Sequence, residues 1–149
     1  MHRTTIDLAR STERGMSQLT GTSIPAVFTD AVRIDLSECT LVYIGGKLGT
    51  NPDGSLAGPT CHAQTVRCLE RIKGIVETCG GSMNDIVRVR VFIHRYDEQS
   101  IRDIHKARAE FWTDPRYYPA STLVVAPLVI DGALIEIDAD AVIARRTVP

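Results

Sequence analysis

Apolar residues along the chain fall into stretches of distinct length and period, separated by clusters of glycine, proline and small polar residues. Residues 26–34 (AVFTDAVRI) alternate loosely and predict a first strand. Residues 40–44 (TLVYI) are β-rich and halt at Gly45-Gly46, which predicts a second, largely buried strand ended by the glycines. The run GKLGTNPDGSLAGP that follows carries turn residues throughout and predicts a surface loop. Residues 60–79 form the clearest helix. Thr60 is placed to N-cap it, Val66, Leu69, Ile72, Val76 and Cys79 recur at helical spacing, and Gly80-Gly81 stops it.

Residues 85–94 (DIVRVRVFIH) predict a strand with Val87, Val89, Val91 and Ile93 on one face and Arg88, Arg90 and Phe92 on the other. Residues 100–112 predict a second helix, its seam made by Ile101, Ile104, Ala107 or Arg108, and Phe111. Residues 120–128 (ASTLVVAPL) predict a strand, linked through a turn at Asp131-Gly132 to a last strand over 134–143. There Ile135, Ile137, Ala139 and Ala141 alternate with Leu134, Glu136, Asp138 and Asp140. The order is β-β-α-β-α-β-β, without repeat or linker, and implies one mixed sheet with two helices on a single face. Residues 1–23 are polar and weakly patterned and are expected to form an N-terminal arm, leaving 24–149 as one domain.

A sheet covered on one side has a second face to account for. Arg88, Arg90 and Phe92 stand there on one strand, with Glu136, Asp138 and Asp140 on another. By pattern alone the ordinary expectation is a solvated face. The alternative is a subunit interface holding a polar site, with opposite charges paired across strands.

Composition narrows the function classes. The 149 residues suffice for one core, and 44% apolar with 23% charged is ordinary for a soluble domain. Seventeen basic residues against 18 acidic leave a net charge of -1, unlike a nucleic-acid binder. No apolar run approaches the ~18 residues that span a bilayer. The N-terminal segment has no apolar h-region, so a cytoplasmic location is expected. Cys39, Cys61, Cys68 and Cys79 have no metal-ligand spacing. Seven residues of helix separate Cys61 from Cys68 by roughly 10 Å, too far for a disulfide, so reduced thiols are expected. Gly45-Gly46-Lys47 is not a phosphate loop, and no GxGxxG, HExxH or GxSxG occurs. Cys61 and His62 are neighbours whose helical side chains diverge, which argues against a nucleophile–base pair.

Several segments, taken in order, resemble the Rid (YjgF/YER057c/UK114) family. CGGSMNDIVRVRVF (79–92) resembles its helix-stop-strand signature, and YPASTLV (118–124) and LIEIDADAV (134–142) its two C-terminal strands. FTDAV (28–32) resembles the family's YSQAV, and VYIGGKL (42–48) its glycine-ended second strand. The likeness spans residues 24–145. It implies an α+β, chorismate-mutase-like fold: one mixed sheet, two helices on one face, and a homotrimer with the sheets as an inner barrel and ligand sites at subunit clefts. The charged sheet face would then be the interface.

The resemblance also implies hydrolysis of a small reactive enamine or imine to a carbonyl compound and ammonia, with neither metal nor organic cofactor. Glu136 falls at the family's glutamate, which positions water, and Gly45 at the glycine of the second strand. The family's tyrosine is Phe28 here, and its carboxylate-gripping arginine is Ser121. A serine hydroxyl does not replace a bidentate guanidinium. The expected site is therefore Glu136 as the catalytic group, with Phe28, Gly45, Ser121, Thr122 and Arg90 around a small-molecule substrate. Arg95 and Arg116 are further basic candidates. For Glu136 the structural alternative is a strand carboxylate paired with Arg88 or Arg90, for Ser121 and Thr122 ordinary strand filling, and for Phe28 a core aromatic. A conjugated aminomuconate-type substrate would suit Phe28. The competing function is a ligand-binding or interaction protein that keeps the trimer without the reaction. A nuclease role fits the charge poorly.

Overall fold

The computed structural model describes residues 1–8 and 27–145, so most of the expected arm lies outside the described residues. One six-stranded sheet is formed, in the order β1-β2-β3-β6-β4-β5. Its strands are β1 (His2–Ile6), β2 (Ala31–Asp35), β3 (Cys39–Leu48), β4 (Ile86–Ile93), β5 (Ala120–Val125) and β6 (Ile135–Ala144). Helices α1 (Cys61–Thr78) and α2 (Glu98–Phe111) complete it. All pairings are antiparallel except β4 with β5. β1 was not expected. It is a mostly exposed edge strand whose short polar sequence carries little periodic signal.

α1 begins where Thr60 accepts a hydrogen bond from the Ala63 amide and ends on Gly80, whose φ of +87° favours glycine. Its inner face is Cys61, Gln64, Thr65, Cys68, Leu69, Ile72, Ile75 and Val76, so the seam opens on Thr65 rather than Val66. α2 starts two residues earlier than its apolar pattern suggests. Asp97 caps it, accepting from the Ser100 amide at 2.8 Å. The helices pack on Val42, Ile44, Val89, Val91, Ile93, Ile135 and Ile137, and Trp112 closes the core with its indole N–H on the Met83 carbonyl at 2.9 Å.

Three expectations need correction. The glycines do not end the second strand. β3 runs on to Leu48, and Gly45-Gly46 form a bulge: three steps from Ile44 to Lys47 face two from Ala139 to Ile137. The extra residue reverses the alternation, turning Lys47 into the helix side, where it is 4% exposed. Its ammonium pairs with Asp30 Oδ1 at 2.7 Å, and burial pulls its pKa down against that partner. Val87 is likewise not on the core face. A register shift between Ile86 and Arg88 turns it outward, 47% exposed. Finally, the Asp131-Gly132 turn closes no hairpin. β5 adds parallel to β4 at the sheet edge, while β6 inserts between β3 and β4.

A buried amide ties the loops to this layer. Gln64, 1% exposed, accepts from the Leu134 amide at 2.8 Å and donates to the carbonyls of Gly58 and Gly132. All four cysteines are free thiols, as expected. The end of β3 passes so close to α1 that a Cβ on Gly49 would lie 2.5 Å from the Gln64 carbonyl oxygen and 2.7 Å from its Cα. Backbone cannot yield as a side chain does. Gly49→Ala is therefore expected to destabilise the fold by about 1–3 kcal/mol, measured as a fall in Tm of several degrees.

Candidate functional site

On the face away from the helices, three registers set the geometry. Glu136 on β6 lies between Leu48 of β3 and Phe92 of β4, Asp138 lies opposite Arg90, and Asp140 lies between Tyr43 and Arg88. Arg90 takes two of these acids, with Nε 2.7 Å from Asp138 Oδ1 and Nη1 3.3 Å from Asp140 Oδ2. The contacts hold its pKa above the usual guanidinium range, Asp138 contributing most. The first contact is close, though the N–H is not aimed squarely at the oxygen. Glu136 forms no ion pair with Arg88 or Arg90.

Glu136 rests instead on the bulge. A Cβ on Gly46 would sit 1.9 Å from Glu136 Oε1 and 2.8 Å from its Cδ, so the carboxyl occupies space that only a glycine leaves free. The residue beneath the acid is Gly46. Gly45 faces the other strand, its amide donating to the Asp30 carbonyl at 2.9 Å. The sequence pointed to Gly45 as the site glycine, whereas Gly46 is the one beneath the acid. Burial raises the Glu136 pKa, Asp138 raises it further, and Lys47 across the sheet partly opposes both. Its flanks are Phe92, expected on this face, and Leu48, which the sequence did not point to.

The remaining expected residues separate into two groups. Phe28 lies three residues before β2, 61% exposed, on the chain segment that flanks Gly45, so it is not a core aromatic. Ser121 and Thr122 sit on β5 at the opposite edge. Ser121 pairs with Val89, whose side chain faces the helices, and Thr122 pairs with Arg90 on the open face. Three residues along the strands and two strand spacings across them, Ser121 is roughly 14 Å from Glu136 at the backbone. One chain does not bring them together.

Ser121 has another neighbour. Arg108 of α2 reaches it, Nη1 donating to Ser121 Oγ at 3.0 Å, with the guanidinium carbon 5.8 Å from the centroid of the Trp112 ring. Arg108 was visible in the sequence only as an optional seam position of the second helix. Arg95 and Arg116 are exposed and paired with Asp97 and Asp114. His62 is drawn to Glu110 at 2.7 Å, while Cys61 faces Thr65 and burial raises its pKa, so the two make no dyad. Among the described residues no group of three His, Cys, Asp or Glu side chains is placed to hold a metal. No helix among them is long and apolar enough to cross a membrane.

A single mixed sheet with two helices on one face, bearing a carboxyl laid on a glycine bulge, defines a YjgF-like α+β protein. The family model described as Endoribonuclease L-PSP matches residues 24–143, and the chain belongs to that family, the YjgF/Rid proteins. A relative from Dermatophagoides farinae, named 2-iminobutanoate/2-iminopropanoate deaminase, is 30% identical over 105 residues, covering 68% of this chain and 77% of that protein. Two solved structures superpose closely. A YjgF/YER057c/UK114 member from Mycobacterium tuberculosis is 26% identical with a TM-score of 0.67, covering 94% of this chain and 98% of its own. RidA from Psychrobacter sp. PAMC 21119 is 25% identical with a TM-score of 0.66, covering 87% and 97%.

The electrostatics of Glu136 carry a stability consequence. Its pKa is higher folded than unfolded, so its protonated form favours the fold and ionisation works against it. The stabilisation is complete below the unfolded pKa and is lost as pH rises through the folded one. Glu136→Gln, fixed in the neutral form, is expected to melt higher than the parent at pH 7–8. That gain is expected to shrink as pH falls through the carboxyl range, read from Tm against pH.

Proposed function

We propose that this protein is a Rid-type deaminase that adds water to the C=N bond of a small imine, releasing a carbonyl compound and ammonia. An enamine substrate first tautomerises to the imine. The reaction needs one held water and one group that moves protons, so no metal or organic cofactor is invoked. Glu136 is that group. Its carboxylate accepts a proton from water as the oxygen bonds to the imine carbon. It returns that proton to the nitrogen to give a carbinolamine. It then carries the carbinolamine's hydroxyl proton to the same nitrogen, so that the C–N bond breaks with loss of ammonia as the carbonyl forms. The position of Glu136 over Gly46 carries this reading, because a carboxyl with a raised pKa is closer to matching a proton-transfer task near neutrality. The name of the Dermatophagoides relative supports the same reaction class.

A homotrimer with sites between subunits follows as part of the proposal. Gly46 and Glu136 lie on the two middle strands of the sheet and Ser121 and Thr122 on its β5 edge, so two chains meeting edge to face would bring the halves together. β5 favours such a partner: it is an edge strand with Leu123, Val124 and Val125 at 39%, 42% and 53% exposure. The exposed Phe28 ring would suit a conjugated, aminomuconate-type substrate. The second reading, a ligand-binding protein on the same scaffold that does not catalyse, draws on Ser121, which brings no charge of its own to the edge strand.

Ammonia release from enzymatically generated 2-aminoacrylate and from 2-aminomuconate separates the readings. Turnover of either is expected to fall at least about 100-fold in Glu136→Gln. A similar fall is expected in Gly46→Ala, where the new methyl displaces the flexible carboxyl and the fold survives. Full activity in Glu136→Gln would remove it from the mechanism, and silence of the parent on both substrates would favour the binding protein. Sedimentation at micromolar concentration is expected to give the mass of three chains. A single-chain mass would refute the shared site.

A further inference from the structure

Among the described residues, the other partly buried cations are answered by specific partners. Arg33 pairs with Asp35 at 2.9 Å, Lys47 with Asp30 at 2.7 Å, Arg67 with Glu70 at 3.0 Å, and Arg90 with Asp138 and Asp140. Arg71 is spent on the Leu48 carbonyl at 2.9 Å and the Thr50 hydroxyl at 2.8 Å, with the Asp30 carboxylate near enough to favour its charge. Arg108 differs. Among the described residues it has no carboxylate, only the neutral Ser121 hydroxyl and the face of Trp112. Burial alone pulls its pKa down, with no anion opposing it. A half-desolvated guanidinium without a counter-charge is a place where an anion lowers the free energy.

We propose that Arg108 and Ser121 form a carboxylate-binding site at the exposed β5 edge. A guanidinium has five N–H donors in one plane, and the bond to Ser121 uses one. Trp112 lies against the guanidinium, and in-plane N–H groups stay available to a ligand. Because Ser121 Oγ accepts from Arg108, its own proton is free to donate to the same anion. Two N–H donors and one O–H match the two oxygens of a carboxylate. The site rests on the deaminase reading only in assigning that carboxylate to the substrate: a small α-imino or α-enamino acid, held by an arginine from α2 where residue 121 offers a hydroxyl.

The test uses the full chain and 2-oxobutanoate as probe, with its uncharged amide and inorganic phosphate as controls. Trp112 is the chain's one tryptophan and lies against Arg108, so its fluorescence reports occupancy without turnover. The parent is expected to bind 2-oxobutanoate, to bind phosphate more weakly, and to ignore the amide. Arg108→Ala should weaken the affinity about 10- to 100-fold, with Arg108→Gln as the substitute should the alanine variant not fold. Arg108→Lys should recover part of the loss, and Arg108→Ala combined with Ser121→Arg most of it. No carboxylate binding by the parent, equal binding of the amide, tighter binding of phosphate, or affinity within twofold in Arg108→Ala would each overturn the proposal. Arg108-dependent binding without ammonia release would sink the deaminase reading and leave the site standing. Ammonia release with an unchanged KM in Arg108→Ala would do the reverse.

Discussion

β6 carries two incompatible surfaces on one ribbon, and the rest of the molecule is arranged around that conflict. Ile135, Ile137, Ala139 and Ala141 are buried against the helices, while Glu136, Asp138 and Asp140 rise at every second position on the opposite side. Hydrogen bonding to β3 and β4 on both flanks fixes the strand, and a slip of one residue would bury three acids. The acids also crowd one another. Arg90 answers Asp138 and Asp140, leaving Glu136 partly desolvated, near a like charge, and displaced toward its neutral form. The raised pKa of Glu136 thus follows first from its burial and then from the like charge of Asp138 beside it on the same strand face.

The bulge in β3 serves two faces together. One extra residue at Gly45-Gly46 brings bare backbone beneath the Glu136 carboxyl and turns Lys47 inward onto Asp30. Asp30 also accepts from the Leu8 amide at 2.9 Å, while the Thr29 hydroxyl donates to the Ile6 carbonyl, so the segment after Phe28 is tied to β1. Site and N-terminal edge strand are therefore mechanically linked. The helices act through a different contact: Gln64 holds the turn before β6 in register by bonding the Leu134 amide.

The middle of the sheet and its β5 edge have unlike chemistry. The middle strands carry a carboxyl over bare glycine backbone; the edge carries a hydroxyl-bearing strand beside a guanidinium without a counter-charge. On the proposed reading these are the acid and the cation that an imino acid needs, and in a single chain the two lie apart.

Much of this was present in the order of residues. The periods of α1, β4 and β6, the Thr60 cap and the Gly80 stop are local properties, written by spacing and side-chain volume, and the helices and central strands form where these predict. Glu136 was legible because alternation put it opposite the core. What spacing cannot carry is a count across strands. The bulges at Gly45-Gly46 and Val87 depend on pairing with β6, so neither the inward turn of Lys47 nor the choice of Gly46 over Gly45 could be read locally. β5 looked like half of a hairpin because the turn residues were right, yet β6 gains more by lying between β3 and β4, where both of its edges are paired. The meeting of Arg108 with Ser121 joins a helix to a strand 13 residues on, through a contact that only their packing defines.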